Sequence, residues 1–404
     1  MSEPGTYLPL PQAKRAALLL ATASALSGAV GPAAIGLSGL VGLSLLPPEQ
    51  AGWATVPVTA FVVGSTLAAI PAALLMQRVG RRFGFITGLL IGAVGCVAAG
   101  LTIIAGSFLA FTLALAVTGA SAAFGQQFRF AAADAAEPAF KARAISWVLA
   151  AGVISGVIGP QVAINTGWIV PGVPFAGPYF VIAFLILIAA GIMTRLVVPP
   201  PVARKAGGGR PLAEIVVDAR FFIALLSAIA SFSLMSFVMT ATPLAMVGHH
   251  HTTADSQIAI QWHVIAMFLP SFVTGNLIGR FGKGTIATAG FVLIGAAALV
   301  ALTGTGLVQF WIALILLGVG WNFGFIAATA MLTDLYRPEE AFKVQALNEF
   351  TLFGIVAIAS FSSGGVLASA GWTLVNIIVL PVVVVCIGLI AWRAMMDRRA
   401  AGNA

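Results

Sequence analysis

Long apolar stretches alternate with short polar breaks along the whole chain. A helix needs roughly 20 apolar residues to cross the hydrocarbon core of a bilayer. Twelve stretches reach that length, at about 16–46, 52–76, 83–105, 108–133, 144–166, 178–198, 220–247, 257–279, 285–305, 309–333, 343–369 and 372–394. The pattern predicts an all-α membrane protein with twelve transmembrane helices. The longest polar break, Pro199–Asp218, holds three consecutive prolines, Arg204-Lys205 and the run Gly207-Gly208-Gly209. It separates two six-helix bundles: an N-terminal bundle at 1–198, a cytoplasmic linker at 199–219 and a C-terminal bundle at 220–404. The polar start, Met1 to Gln12, precedes an apolar run too long for the core of a cleavable signal, so the first helix is expected to stay in the membrane.

Composition agrees. Of 404 residues, 60% are hydrophobic and 8% charged, with a mean hydropathy of +1.06. Soluble domains carry about 25% charged residues, so lipid is the expected solvent. The 45 glycines suit closely packed membrane helices. A net charge of +8 invites a nucleic-acid partner, but the charge distribution excludes one. Lys and Arg fall at the two ends, in every second loop and at the bordering helix ends; the opposite loops carry none. That is the positive-inside pattern, and it places both termini in the cytoplasm. Cys96 and Cys386 lie in distant apolar spans and read as core thiols.

The two halves echo each other. Arg78-Val79-Gly80-Arg81 follows the second span and Arg280-Phe281-Gly282-Lys283 the eighth, 202 residues later. Asp134 with Pro138 ends the fourth span and Asp334 with Pro338 the tenth, 200 residues later. Parallel repeats of this kind mark a two-bundle carrier whose substrate site lies between the halves near the midplane. Arg78, Gly80, Arg81 and Arg82 resemble the loop signature G-x-x-x-D-R-x-G-R-R/K of the major facilitator superfamily, with Ala73 and Gln77 departing from it. The resemblance implies gating roles for Arg78, Arg81, Asp134, Arg280 and Asp334. Positive-inside anchoring explains the arginines as well. Acids near the cytoplasmic side are expected to pair with Arg129, Lys141, Arg143, Arg337 or Lys343, and Glu349 is the candidate proton carrier. Gly152-x-x-x-Gly156-x-x-Gly159-Pro160 resembles the Gly-Pro motif of the superfamily's antiporters. Close helix packing explains it too. The alternative function is therefore a proton-coupled exporter of drugs or small amphipathic compounds.

Two pairs of metal-capable side chains sit on neighbouring spans: Met235 with Met239, and His263 with Met267. Residues four apart share a helix face. Thioether and imidazole are soft to borderline ligands, and thioether favours Cu(I). A histidine inside an apolar span is costly and is read as functional. Its alternative is an interhelical hydrogen bond, to a Ser or Thr such as Ser236 or Thr240. Met246 with His249, His250 and His251 forms an outer patch suited to gathering copper. Ordinary core packing is the competing reading for the methionines. The combination resembles the CcoA-type copper importers. That resemblance implies copper import across the bacterial inner membrane, serving haem–copper cytochrome oxidase assembly. A periplasmic donor and a cytoplasmic copper chaperone are the implied partners. Copper is then cargo, not cofactor. With no Walker A sequence and no nucleophile elbow, an enzyme is not expected.

Overall fold

The computed structural model describes residues 7–198, 209–337 and 340–402. Residues 199–208 of the expected linker lie outside them, as does Pro338. The described residues form helices and connecting turns, with no strand among them. The order is α1 (Leu10–Gly28), α2 (Val30–Leu45), α3 (Val56–Val79), α4 (Arg81–Ile104), α5 (Phe108–Gly125), α6 (Phe128–Ala135), α7 (Pro138–Asn165) and α8 (Ala176–Met193). The short α9 (Leu212–Val216) leads to α10 (Ala219–Gly248), α11 (Thr253–Phe268), α12 (Ser271–Phe281), α13 (Lys283–Leu302), α14 (Leu307–Thr333) and α15 (Ala341–Gly402).

Among the described residues, ten helical stretches are long and apolar enough to cross a membrane, and a bent pair makes up to eleven. The twelve expected spans differ at two places. The eighth is not one helix: α11 and α12 meet at 43°. Pro270 sits at that break, lacking an N–H and crowding the preceding turn. Asn322 of α14 repairs the damage, donating through Nδ2 to the Met267 carbonyl at 2.7 Å and to Ser271 Oγ at 2.6 Å. The expected eleventh and twelfth spans are counted together as α15, which is two helices meeting at Gly371, whose φ of 74° takes it out of helix.

The repeat seen in the sequence is also a backbone repeat. Gly80 has φ 81° and ψ 159°; Gly282 has φ 87° and ψ 152°. Both sit between consecutive helices in a region that side chains other than glycine's rarely enter. Buried apolar side chains fall into two large clusters, one drawn from residues 13–196 and the other from 215–390. Large apolar residues such as Leu67, Ile70 and Phe184 point outward, as a lipid solvent allows.

The two helix groups meet along α2, α3, α7, α10, α11 and α15. Gln257 Nε2 donates to the Gly36 carbonyl at 2.8 Å. Thr55 Oγ1 donates to the Phe361 carbonyl at 3.4 Å, and Trp53 meets the Phe361 ring edge-on at 5.8 Å. A small apolar cluster of Leu40, Ala54 and Leu244 fills the space between. All these contacts lie toward the helix ends remote from the chain termini.

Candidate substrate site between the helix groups

The seam is tight where α7 meets α11. A Cβ on Gly152 would stand 2.9 Å from Phe268 Cγ, and one on Gly156 would stand 2.7 Å from Val264 Cγ1. Gly159 faces α2 in the same way, 2.5 Å from the Ala29 carbonyl oxygen. The glycine spacing in this span is thus the footprint of two neighbouring helices. At its remote end, Gln161 Nε2 donates to Gln261 Oε1 at 2.9 Å.

Deeper along the seam, at the middles of α10 and α14, five aromatic rings gather. Trp321 and Phe325 lie face to face, centroids 5.3 Å apart and planes 10° apart. Phe232 presents an edge to each at 5.4 Å and meets Phe353 of α15 at 5.7 Å. Phe268 joins Trp321 at 6.3 Å and rests on Gly152 of the opposite group. The four phenylalanines are half-buried. Trp321 is nearly enclosed, and its Nε1–H has no hydrogen-bond partner.

The expected soft-ligand residues take other surroundings. Met235, Met239, Met246 and Met267 are all buried within the apolar cluster of the second group. His263 is fully buried, and its Nδ1 lies 2.7 Å from the Leu314 carbonyl oxygen of α14, an interhelical bond as in the alternative reading but to a backbone carbonyl and not to Ser236 or Thr240. The three remaining histidines end α10. The His251 N–H reaches the Met246 carbonyl at 3.0 Å and the His250 N–H that of Val247 at 3.0 Å, with His250 at φ 66°. This is a helix-stopping turn with a left-handed residue just past the cap. His251 Nε2 lies 2.7 Å from the Thr305 carbonyl oxygen and His249 is exposed. Among the described residues, no three His, Cys, Asp or Glu side chains cluster to hold a metal. Cys96 and Cys386 are buried free thiols.

Of the expected gating residues, Arg81 Nη2 donates to Asp134 Oδ2 at 2.5 Å. Asp334 pairs at the same distance with Lys283, so these two acids take Arg81 and Lys283 where Arg129, Lys141, Arg143, Arg337 or Lys343 was expected. Arg280 instead lies over the Phe281 ring at 5.2 Å, and Arg78 is exposed. Glu349 and Arg129, from opposite helix groups, interact electrostatically on the terminus-proximal side.

A further cluster locks the end of the linker. Glu340 is wholly buried and accepts from Arg210 Nη2 at 2.9 Å, Arg210 Nε at 3.0 Å, the Arg210 N–H at 2.7 Å and the Arg337 N–H at 2.9 Å. The Arg210 guanidinium, then the backbone donors, hold this carboxyl well below the usual range. Lys343 Nζ closes the cluster on the Arg210 carbonyl.

Sequence reading missed the aromatic group, the glutamine bridge and the Lys283 partner. Each leaves a signal: Trp321 and Phe325 are four apart, Gln161, Gln257 and Gln261 stand inside apolar spans, and Lys283 is the repeat counterpart of Arg81.

The Major Facilitator Superfamily profile matches residues 16–260. The chain is 45% identical over 376 residues to a protein named riboflavin transporter RfnT of Brucella anthropi, spanning 92% of this chain and 94% of that one. It is 31% identical over 368 residues to the uncharacterized MFS-type transporter YddS of Bacillus subtilis, spanning 86% and 84%. Among solved structures, an auto-inhibited POT family peptide transporter superposes with a TM-score of 0.67 over 96% of this chain and 97% of that one; at 14% identity the likeness is of fold alone. The RfnT likeness corrects the expected copper cargo, and with it the copper donor, the chaperone and the link to cytochrome oxidase assembly. The physical reason is visible too. The thioethers pack in a hydrophobic core, where methionine is an adaptable filler, and one nitrogen of His263 is spent on a carbonyl.

Proposed function

This chain belongs to the major facilitator superfamily, and we propose that it is a transporter, not an enzyme, and carries riboflavin across the membrane by alternating access. The observation that carries this reading is the 45% identity to riboflavin transporter RfnT, sustained over nearly the full length of both proteins. The cargo chemistry is compatible. Riboflavin is uncharged near neutral pH, with a planar tricyclic ring and a hydroxylated tail. A neutral cargo needs no fixed countercharge, and α1, α2, α3 and α10 contain no Asp or Glu. A planar ring suits a mid-depth group of aromatic side chains with few polar atoms.

In this reading, twelve spans form two six-helix bundles, 1–198 and 220–404, joined through 199–219, with both termini in the cytoplasm. The bundles rock about the α7–α11 seam. Opening the remote side breaks Gln161–Gln261, Gln257–Gly36 and Thr55–Phe361 together. On the near side Arg81–Asp134 and Lys283–Asp334, each within one helix group, pin the loops after α3 and α12 to the ends of α6 and α14. Glu349, opposite Arg129, is the carboxylate placed to exchange a proton as the near side opens and closes.

The test is uptake of labelled riboflavin by membrane vesicles containing the protein, against vesicles from cells without it. Saturable uptake, displaced by unlabelled riboflavin and unaffected by copper salts, supports the reading. Equal uptake in both preparations rejects it.

A further inference from the structure

We propose that Trp321 and Phe325 form the platform on which the tricyclic ring of a flavin stacks, with Phe232, Phe353 and Phe268 as its walls. The inference rests on the riboflavin reading and gives that reading a site.

Three observations carry it. First, the rings are where a cargo passes. Phe232 and Trp321 stand at mid-depth, and Phe268 touches Gly152 of the opposite helix group, so the cluster borders the seam that alternating access opens. Second, lipid tails solvate phenylalanine about as well as other side chains do, so burial from water does not gather aromatics inside a bilayer. The tightest backbone approaches of α14 run through glycines, Gly318 to α11 and Gly320 and Gly324 to α13, and not through the aromatic rings. Third, Trp321 Nε1–H is a buried donor with no partner, in a cluster that otherwise offers only hydrocarbon. A buried donor left unpaired is costly. The flavin ring carries carbonyl and ring-nitrogen acceptors along one edge, and a ring stacked beside Trp321 brings them within reach of that N–H. Trp311 and Trp372 also have unpartnered Nε1 atoms. Both nitrogens are buried near the remote helix ends, one at the start of α14 and one just past Gly371.

In the present arrangement Phe232 sits edge-on against both platform rings. A stacked ligand takes that place, and Phe232 swings aside. The platform therefore reads the ring and not the hydroxylated tail. The matching ligand class is a neutral fused heteroaromatic.

The test uses the full-length protein in detergent and follows quenching of flavin fluorescence. The probes are riboflavin, lumiflavin, which keeps the ring without the ribityl tail, and ribitol as competitor. Wild type is expected to bind both flavins, with no competition from ribitol. Trp321→Ala and the volume-conserving Phe325→Leu are each expected to weaken both flavins in parallel, by about tenfold, the scale of one lost aromatic stack. Trp321→Phe keeps a stacking face but loses the N–H and should fall between. Trp262→Phe, on the exposed face of α11, should match wild type. Thermal unfolding confirms that each variant is folded. Folded variants with wild-type flavin affinity overturn the site while leaving the riboflavin reading intact. So does a loss confined to riboflavin, which would place these residues at the tail. No flavin binding by wild type removes the riboflavin reading and the site together.

Discussion

Gln161 of α7 and Gln261 of α11 join the two helix groups through one hydrogen bond of 2.9 Å, with Gln161 as donor. The direction is set locally. Asn165 Nδ2 donates to Gln161 Oε1 at 3.2 Å, which leaves the Gln161 amide N–H₂ to face Gln261. A bond of this kind is worth about 0.5–1.5 kcal/mol net. A cycle of Gln161→Ala, Gln261→Ala and the double substitution, read by thermal unfolding, should show a coupling of that size. Purely additive effects would remove the bridge from the closed seam.

The α7–α11 seam has no room for a side chain at Gly152, where a Cβ would meet the Phe268 ring at 2.9 Å. Gly152→Leu should separate the helices and destabilise the closed side by about 1–3 kcal/mol. Transport should fall in step. Gly191→Ala, where nothing lies within 4 Å, is the matched control and should be silent or slightly stabilising. Thermal unfolding and vesicle uptake on the same preparations check both.

Asp334 is held by Lys283, the repeat counterpart of the Arg81–Asp134 pair. Asp134→Asn and Asp334→Asn should each slow transport roughly fivefold, the cost of about 1 kcal/mol expected for a partly exposed pair. Exchanging the charges, Lys283→Asp with Asp334→Lys, should recover part of the loss. Arg280→Ala should matter less than Lys283→Ala, because Arg280 leans on Phe281 and not on the acid. Uptake rates at saturating riboflavin separate these variants.

Acid should loosen the linker anchor, with a definite sign. The Glu340 carboxyl titrates lower in the fold than the ordinary glutamate value of 4.5, chiefly because of Arg210. A depressed carboxyl stabilises the fold above its unfolded value and loses that contribution as pH falls toward the folded one. Stability from this group is therefore flat from pH 8 to 6 and declines below about 4.5. Glu340→Gln should lower Tm at pH 7 and flatten the acid limb of a Tm–pH profile. An unchanged acid limb would count against the anchor.

Removing copper should change nothing. The methionines once matched to a copper site are core packing, so riboflavin uptake should persist with a Cu(I) chelator present. Met235→Leu and Met267→Leu, which keep volume, should cost under about 1.5 kcal/mol and leave uptake intact. His263→Leu should destabilise more, by removing the interhelical hydrogen bond to the Leu314 carbonyl.

Much of the fold is legible in the sequence because the bilayer leaves few options. Unpaired backbone groups are too costly in lipid, so apolar runs of sufficient length become helices. The Gly80 and Gly282 turns follow from the repeat, whereas the partners of Asp134 and Asp334, Arg81 and Lys283, differ from the cations expected for them. The break at Pro270 was harder to read, since its repair by Asn322 comes from a helix some fifty positions on. The copper cargo expected from the sequence fails for a different reason. Two soft ligands at helical spacing describe a possible coordination face, but spacing carries no information on what the opposite helix supplies. For His263 it supplies a backbone carbonyl; for the methionines it supplies hydrocarbon. Trp321 and Phe325 passed unnoticed because aromatic residues are ordinary inside apolar spans, and only the structure gathers Phe232, Phe353 and Phe268 around them.

Riboflavin carriage is tested most directly by counterflow in proteoliposomes. Purified protein is reconstituted, the vesicles are loaded with unlabelled riboflavin, and labelled riboflavin is added outside at trace level. An alternating-access carrier exchanges the two, so label should accumulate transiently above its equilibrium level and then decay. Label that never rises above that in protein-free liposomes, with folded and inserted protein confirmed, would contradict riboflavin as the cargo.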